Sequence, residues 1–166
     1  MDTSFEKTGI GKDEFRSALS RFPSGVTVVT TKDATGRFHG ITVSAFASVS
    51  LEPPMILVCV DKRAGSYNAF AESGAFVVHI LAEDHEHHSN QFASHSSDKF
   101  DGVEFRFGIS EIPVLENTLV ALECRFAYAH EGGDHTIFVG EIERAEIKDG
   151  KPLVYWHGNY RKLEVD

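Results

Sequence analysis

Positive charge is what this 166-residue chain has least of: 16 Lys and Arg stand against 25 Asp and Glu, a net charge of −9. Such a chain repels a phosphate backbone, and no block of Lys and Arg with interleaved aromatics offsets this, so nucleic acid is excluded as a partner. Long apolar runs are missing too. No stretch of eighteen uncharged apolar residues occurs, and the start, MDTSFEKTGIGKDEF, is polar and acidic where a secretion signal would be basic and then apolar. A soluble, cytoplasmic protein without a membrane partner is expected. Cysteine is scarce: Cys59 and Cys124 sit far apart in apolar runs, with no CxxC or Cys/His ligand spacing, and read as small buried hydrophobes rather than a disulfide or a metal site. Neither G-x-G-x-x-G nor G-x-x-x-x-G-K-[ST] is present, which removes Rossmann and P-loop phosphate chemistry. An anionic ligand must then be held by a local device of backbone N–H groups, hydroxyls and one or two cations.

What is present is material for a core. A hydrophobic content of 42% with thirteen Phe predicts one globular domain over residues 1–166. Phe15, Ala18, Leu19 and Phe22 recur at helical spacing, with Asp13 placed to cap and Pro23 to stop a short amphipathic helix. The β-branched run Val26–Thr31, the loop KDATG and the run Arg37–Val43 predict two antiparallel strands. Pro53-Pro54 breaks the sheet before a continuously apolar strand, Met55–Val60. Ser66 is placed to cap a helix over Tyr67–Ser73, closed by Gly74 and followed by a strand, Ala75–Leu81. Leu119–His130 and His135–Ile147 are long β-rich runs joined by Glu131-Gly132-Gly133-Asp134, a hairpin signal. A last strand is expected over Pro152–Trp156. Many strands, few short helices and no strand-helix alternation predict an antiparallel β-barrel with appended helices, a mainly β fold.

Two stretches stand out chemically. In Gly40–Val60, GITVSAFASVSLEPPMILVCV, the hydroxyls Thr42, Ser44, Ser48 and Ser50 alternate with Val43, Ala45, Val49 and Leu51, so one face of the extended chain is polar and fit to meet water or a polar ligand. Ala82–Phe100, AEDHEHHSNQFASHSSDKF, carries His85, His87, His88 and His95. Helical spacing would bring His85 and His88 to one face, yet no HExxH occurs, so this segment is expected to be a solvated helix face with no metal.

FRSALSRFPSGVTVVTT (Phe15–Thr31), TVSAFASVSLEPPMILVCV (Thr42–Val60), GDHTIFVGEIERAE (Gly133–Glu146) and PLVYWHGNYR (Pro152–Arg161) together resemble the short-chain flavin reductases, the reductase components of two-component flavin-dependent monooxygenases. The resemblance covers nearly the whole chain in order. It implies a split β-barrel homodimer that uses NADH or NADPH to reduce FMN or FAD and releases the reduced flavin to a separate oxygenase component. It also implies a flavin ring against Thr42, Val43, Ser44, Ala45 and Phe46, with Pro23, Ser24, Gly25 and Val26 near its edge. Ser48 and Ser50 match ribityl or phosphate contacts, and Asp61, Lys62 and Ser66 match the phosphate end, where Lys62 and Arg63 would supply cations. Lys99 and Phe100 match a Lys-Phe pair near the cofactor. His135 matches a catalytic histidine near the nicotinamide, and Tyr160 and Arg161 match the pocket mouth. The histidine-rich run departs from the family pattern.

Hydride transfer from nicotinamide to flavin needs no protein nucleophile, so the implied role of the chain is geometry, and no triad is apparent. Two other outcomes share the fold, a flavin-binding electron carrier that keeps its flavin and a ferric reductase acting through reduced flavin. A module sensing metal through the histidine-rich run is a third.

Overall fold

The computed structural model describes residues 9–166, so the polar start read over residues 1–8 lies outside the described residues. Helix α1 (Lys12–Leu19) begins at Gly11, which makes no side-chain cap; Asp13 sits inside the first turn, where its charge favours the helix dipole without capping it. The helix buries none of its residues, and Phe15, Leu19 and Phe22 stay 54%, 54% and 77% exposed. Its apolar face therefore finds no partner within the described chain.

Strands β1 (Ser24–Gly25), β2 (Thr27–Lys32), β3 (Phe38–Val43), β4 (Phe46–Leu51), β5 (Pro54–Asp61) and β6 (Ala75–Ile80) follow, with helix α2 (Tyr67–Glu72) between β5 and β6. Helix α3 (Glu86–Ala93) leads to β7 (Phe105–Phe107), β8 (Pro113–Leu115), β9 (Val120–Gly132), β10 (His135–Ile147), β11 (Val154–Trp156) and β12 (Asn159–Arg161). The main sheet has seven strands in the order β3-β2-β6-β9-β10-β5-β4, all pairings antiparallel. Its two edge strands, β3 and β4, are consecutive in the chain and meet at Ser44-Ala45, which curls the sheet toward closure as a split barrel.

Strand β2 is the spine. Both its faces are buried: Val29 joins the core inside the barrel with Val58, Phe76 and Phe138, while Val28, with Val26 just before the strand, joins a second core with Leu81, Phe92 and Leu115. Its threonines survive burial because each hydroxyl donates to a carbonyl, Thr27 to Val43 at 2.6 Å, Thr30 to Pro113 at 2.6 Å and Thr31 to Ala75 at 2.8 Å. β5 buries Ile56, Val58 and Val60 and leaves Met55, Leu57 and Cys59 half-buried, so its continuous apolar run alternates after all. Pro54 opens β5 opposite Leu51, beside the edge strand, where a missing N–H is tolerated. Both cysteines are free, Cys124 buried as expected and Cys59 only half-buried.

The expectation of a solvated α3 is corrected by its packing. α3 lies across β3 and β2, burying Ser89 and Phe92, and His85 at its N-cap is also buried. The sequence pattern hid this because the face that α3 buries is largely polar.

Candidate functional site

The corner between β3 and β4 presents backbone rather than side chains. Ser44 and Ala45 are exposed, the Phe46 N–H donates to the Ser44 carbonyl at 3.0 Å, and the Cys59 N–H donates to the Ala45 carbonyl at 3.0 Å. Phe46 turns its ring into the barrel core. β2 pairs with β3 up to Thr27 opposite Val43, so Val26 and Ser44 stand one residue past the end of the same ladder. Ser24 and Gly25 pair with Tyr155 and Val154 of β11, and open space lies over Gly25. Pro23–Val26 and Thr42–Phe46, assigned together from the sequence, thus meet at one end of the barrel.

A cavity of about 590 Å³ opens alongside β3, bordered by Arg37, His39, Gly40, Ser66, Lys99 and Phe100 among others. The close approach at Gly40 makes it possible: a Cβ there would fall 2.5 Å from the buried Phe92 ring, so only glycine lets α3 settle on β3. Lys99, half-buried, donates to the carbonyls of Gly40 at 3.1 Å and Phe92 at 2.9 Å, and burial pushes its ammonium below the ordinary lysine range. The Ser66 hydroxyl is buried at the start of α2 and has no hydrogen-bond partner. A cation held only by carbonyls and an unpaired buried hydroxyl on one cavity are a fit for an anionic group. Arg37 adds a second cation, anchored through the Ser97 carbonyl at 2.9 Å.

Lys62 and Arg63 do not border this cavity. Lys62 pairs with Glu131 and donates to the Gly133 carbonyl at 3.0 Å, while Arg63 closes on Asp61 at 2.8 Å and holds that carboxyl far below its usual range. In this arrangement Lys62, expected at a phosphate end, has a structural task as well. It ties the exit of β5 to the β9-β10 hairpin, whose turn uses Gly133 at φ +73°. Ser48 and Ser50 also lie apart from the cavity, on β4 on either side of a bulge, so the hydroxyl alternation read along Thr42–Ser50 spans two strands and a corner.

His135 opens β10 opposite Asp61, and its Nδ1 lies 2.7 Å from Asp134 Oδ1, which draws the Asp134 carboxyl below its ordinary value. Ile137, two residues on, faces Cys59, the residue bonded to Ala45, so the sheet brings His135 near the corner from the side opposite β2. Tyr160 joins the assembly through α3: its hydroxyl is 2.7 Å from Ser89 Oγ and 3.1 Å from Asn90 Oδ1, and Thr42 Oγ1 donates to the Ser89 carbonyl at 2.6 Å. Arg161 lies over the Trp156 ring at 5.6 Å. Sequence reasoning missed Arg37, His39, Gly40, Ser89 and Asn90. Only Gly40 carried a signal, a glycine inside a strand pattern that marks close backbone approach.

The antiparallel split barrel thus offers an exposed backbone corner past the end of β3 and an anion-fit cavity along the start of the same strand. The flavin reductase like domain family matches residues 19–164, and the chain belongs to it. It is 40% identical over 159 residues to the FMN reductase (NADH) SmoA of Agrobacterium fabrum, covering 96% of this chain and 90% of that one. It is 34% identical over 166 residues to the reductase subunit HsaB of a flavin-dependent monooxygenase of Rhodococcus jostii, covering 99% and 85%. Among solved structures, an NADH:FAD oxidoreductase of Streptomyces globisporus in complex with NAD and FAD fragments superimposes with a TM-score of 0.88 at 35% identity, covering 93% of each chain.

Proposed function

We propose that this chain is an NADH-dependent reductase of FMN or FAD that hands its reduced flavin to a separate oxygenase component, with residues 1–166 acting as one domain. The observation that carries the reading is the cavity beside β3, where Lys99 and the unpaired Ser66 hydroxyl offer a charge-assisted pair of donors to a flavin phosphate. The ring would lie on the corner Thr42–Phe46 with Pro23–Val26 at its edge. Held there, the flavin would supply the hydride acceptor for the nicotinamide. The chain contributes placement, by backbone groups at the corner and by His135, whose Nδ1–H donates to Asp134 and fixes its ring, leaving Nε2 to accept from the carboxamide N–H. Tyr160 and Arg161 border the approach. The exposure of Ser44 and Ala45 favours exchange of flavin over the permanent retention that an electron carrier needs.

NADPH is a second hydride donor to be compared with NADH. The unpartnered apolar face of α1 supports a homodimer, since Phe15, Leu19 and Phe22 would otherwise remain in water. No helix among the described residues is long and apolar enough to cross a membrane. Steady-state NADH oxidation with FMN, FAD and riboflavin tests the activity: turnover with FMN or FAD is expected, and none with any flavin would overturn the reading. Light scattering giving a mass near 18.4 kDa would overturn the dimer.

A further inference from the structure

Two histidines border the cavity beside β3, His39 half-buried and His95 exposed, and of the two only His39 has its ring held by a hydrogen bond among the described residues. We propose that His39 is a third donor to the flavin phosphate, which it meets as an imidazolium by taking up a proton when a phosphate-bearing flavin binds. This role rests on the cavity being the phosphate site.

The turn between β2 and β3 is built around the Asp33 carboxylate. Its Oδ1 accepts from the Thr35 N–H at 2.9 Å, the Thr35 hydroxyl at 2.6 Å and the Arg37 N–H at 3.1 Å, and this leaves Oδ2 facing His39 Nε2 at 2.9 Å. The Thr35 hydroxyl first, and His39 second, hold this carboxyl well below the usual carboxylate range, so Asp33 stays charged wherever histidine titrates. With Nε2–H donating to Asp33, the other ring nitrogen, Nδ1, has no partner among the described residues. In the neutral ring that nitrogen is a lone pair, which repels an anion. In the protonated ring it is a second N–H. An imidazole gripped by a carboxylate on one side and open on the other is therefore a donor to the cavity only in its charged form.

The charges around the ring make that proton decisive. Among the described residues, Arg37 and Lys99 are the cations bordering the cavity and Asp98 the carboxylate, while Asp33 lies behind His39 without bordering it. Two positive groups thus stand against two negative ones, and the wall becomes net positive only when His39 is charged. The other elements against the ring add nothing to this balance. Thr31, opposite His39 on β2, is uncharged and donates to the Ala75 carbonyl, and Lys32 beside it is turned to Glu111 at 3.3 Å. Gly65 and Ser66, before α2, bring no charge. By linkage, affinity that depends on a protonated donor is full at low pH and declines as pH rises through the histidine range, between about pH 5 and 8. Riboflavin, which has no phosphate, escapes this dependence.

Calorimetric titration of the full chain with FAD and riboflavin, in two buffers of different ionisation enthalpy, reads the proton directly. The phosphates of FAD are diesters that keep one charge each across this range, so any proton taken up belongs to the protein. FAD is expected to bind with proton uptake near neutral pH and to weaken by about tenfold from about pH 6 to 8, and riboflavin to do neither. With FMN, the second ionisation of the phosphate near about pH 6 adds equally in parent and variant, so the difference between them counts. His39→Gln should abolish the uptake and weaken FAD by about tenfold at the acid end. Asp33→Asn keeps an oxygen for the turn while its amide donates to Nε2 and favours the neutral ring, so it should move the uptake to lower pH; this keeps the test open should His39→Gln unfold. His95→Gln should leave the uptake unchanged. Equal uptake in parent and His39→Gln, or its loss in His95→Gln, would overturn the role of His39. Lys99→Ala separates this from the cavity itself: loss of the preference for FAD over riboflavin there, with no change in His39→Gln, removes His39 alone. No change in either variant removes the cavity as the phosphate site, and His39 with it.

Discussion

Lys62, beside the β9-β10 hairpin, and Lys99, beside α3, meet opposite company. Lys62 is locked to Glu131 on an exposed hairpin, so its charge is already neutralised. Lys99 is half-buried against the second core, and its partners are two carbonyls. In an acidic protein, a cation kept clear of carboxylates at the expense of its own hydration is available to a ligand, whereas one bound to glutamate is structural. The α3 side therefore keeps a cation open to a ligand, while the hairpin side uses its lysine to hold position.

The sharpest contrast is in pH. Beneath α3, His79 is fully buried with Nδ1 donating to the Val28 carbonyl at 2.9 Å and Nε2 accepting the Leu115 N–H at 3.0 Å. Burial pulls its pKa down to about 4, since a proton on Nε2 would also face that N–H. The unfolded chain takes up a proton near 6.5 that the folded one refuses until about 4, so stability is full above pH 6.5 and falls as pH drops through that window. The loss should approach about 3 kcal/mol by pH 4, read by thermal unfolding across pH, and His79→Gln should flatten it. The exposed pairs of the hairpin side should add little. A slope unchanged in the variant would break the contrast.

Filling the close approach on the α3 side comes next. Gly40→Ala should destabilise by about 1 to 3 kcal/mol in denaturant unfolding, because the buried Phe92 ring must shift. It should also cost flavin affinity by moving the carbonyl that anchors Lys99.

The ligand comparison follows. Lys99→Ala should weaken FMN by about 1.5 to 3 kcal/mol and riboflavin far less, since only FMN carries the phosphate. Lys62→Ala should change both by under about 1 kcal/mol. Fluorescence quenching measures all four constants, and a larger phosphate-specific loss at Lys62 would reverse the assignment. A comparably modest effect belongs to the hairpin. His135→Ala should cost about 1 to 2 kcal/mol in kcat/KM for NADH with flavin affinity unchanged, by stopped-flow reduction and quenching. Loss of flavin affinity alone would put His135 on the wrong ligand.

The same contrast explains what the sequence made legible. The hairpin at Gly132-Gly133, the long strands around it and the run Met55–Val60 are encoded locally, in turn residues and period, and could be read directly. The corner at Ser44-Ala45 was legible as a site only through the family blocks. α3 was misread because its buried face carries Ser89 and His85 rather than aliphatic side chains, and period counting is blind to polar burial. The tie of Lys62 to Glu131 could not be read because the two lie 69 residues apart, a contact made by strand pairing alone. β8 and β12, three residues each, are too short to show a period.

The corner between β3 and β4 has one more consequence. Because Ser44 and Ala45 offer main-chain groups at a strand junction, their side-chain chemistry is nearly interchangeable while their bulk is not. A saturation library there should sort by volume, with small residues of any polarity passing and large ones failing. If the proposed ring site is right, redesign for other planar ring systems would begin at this corner, trimming or raising it by single carbon atoms.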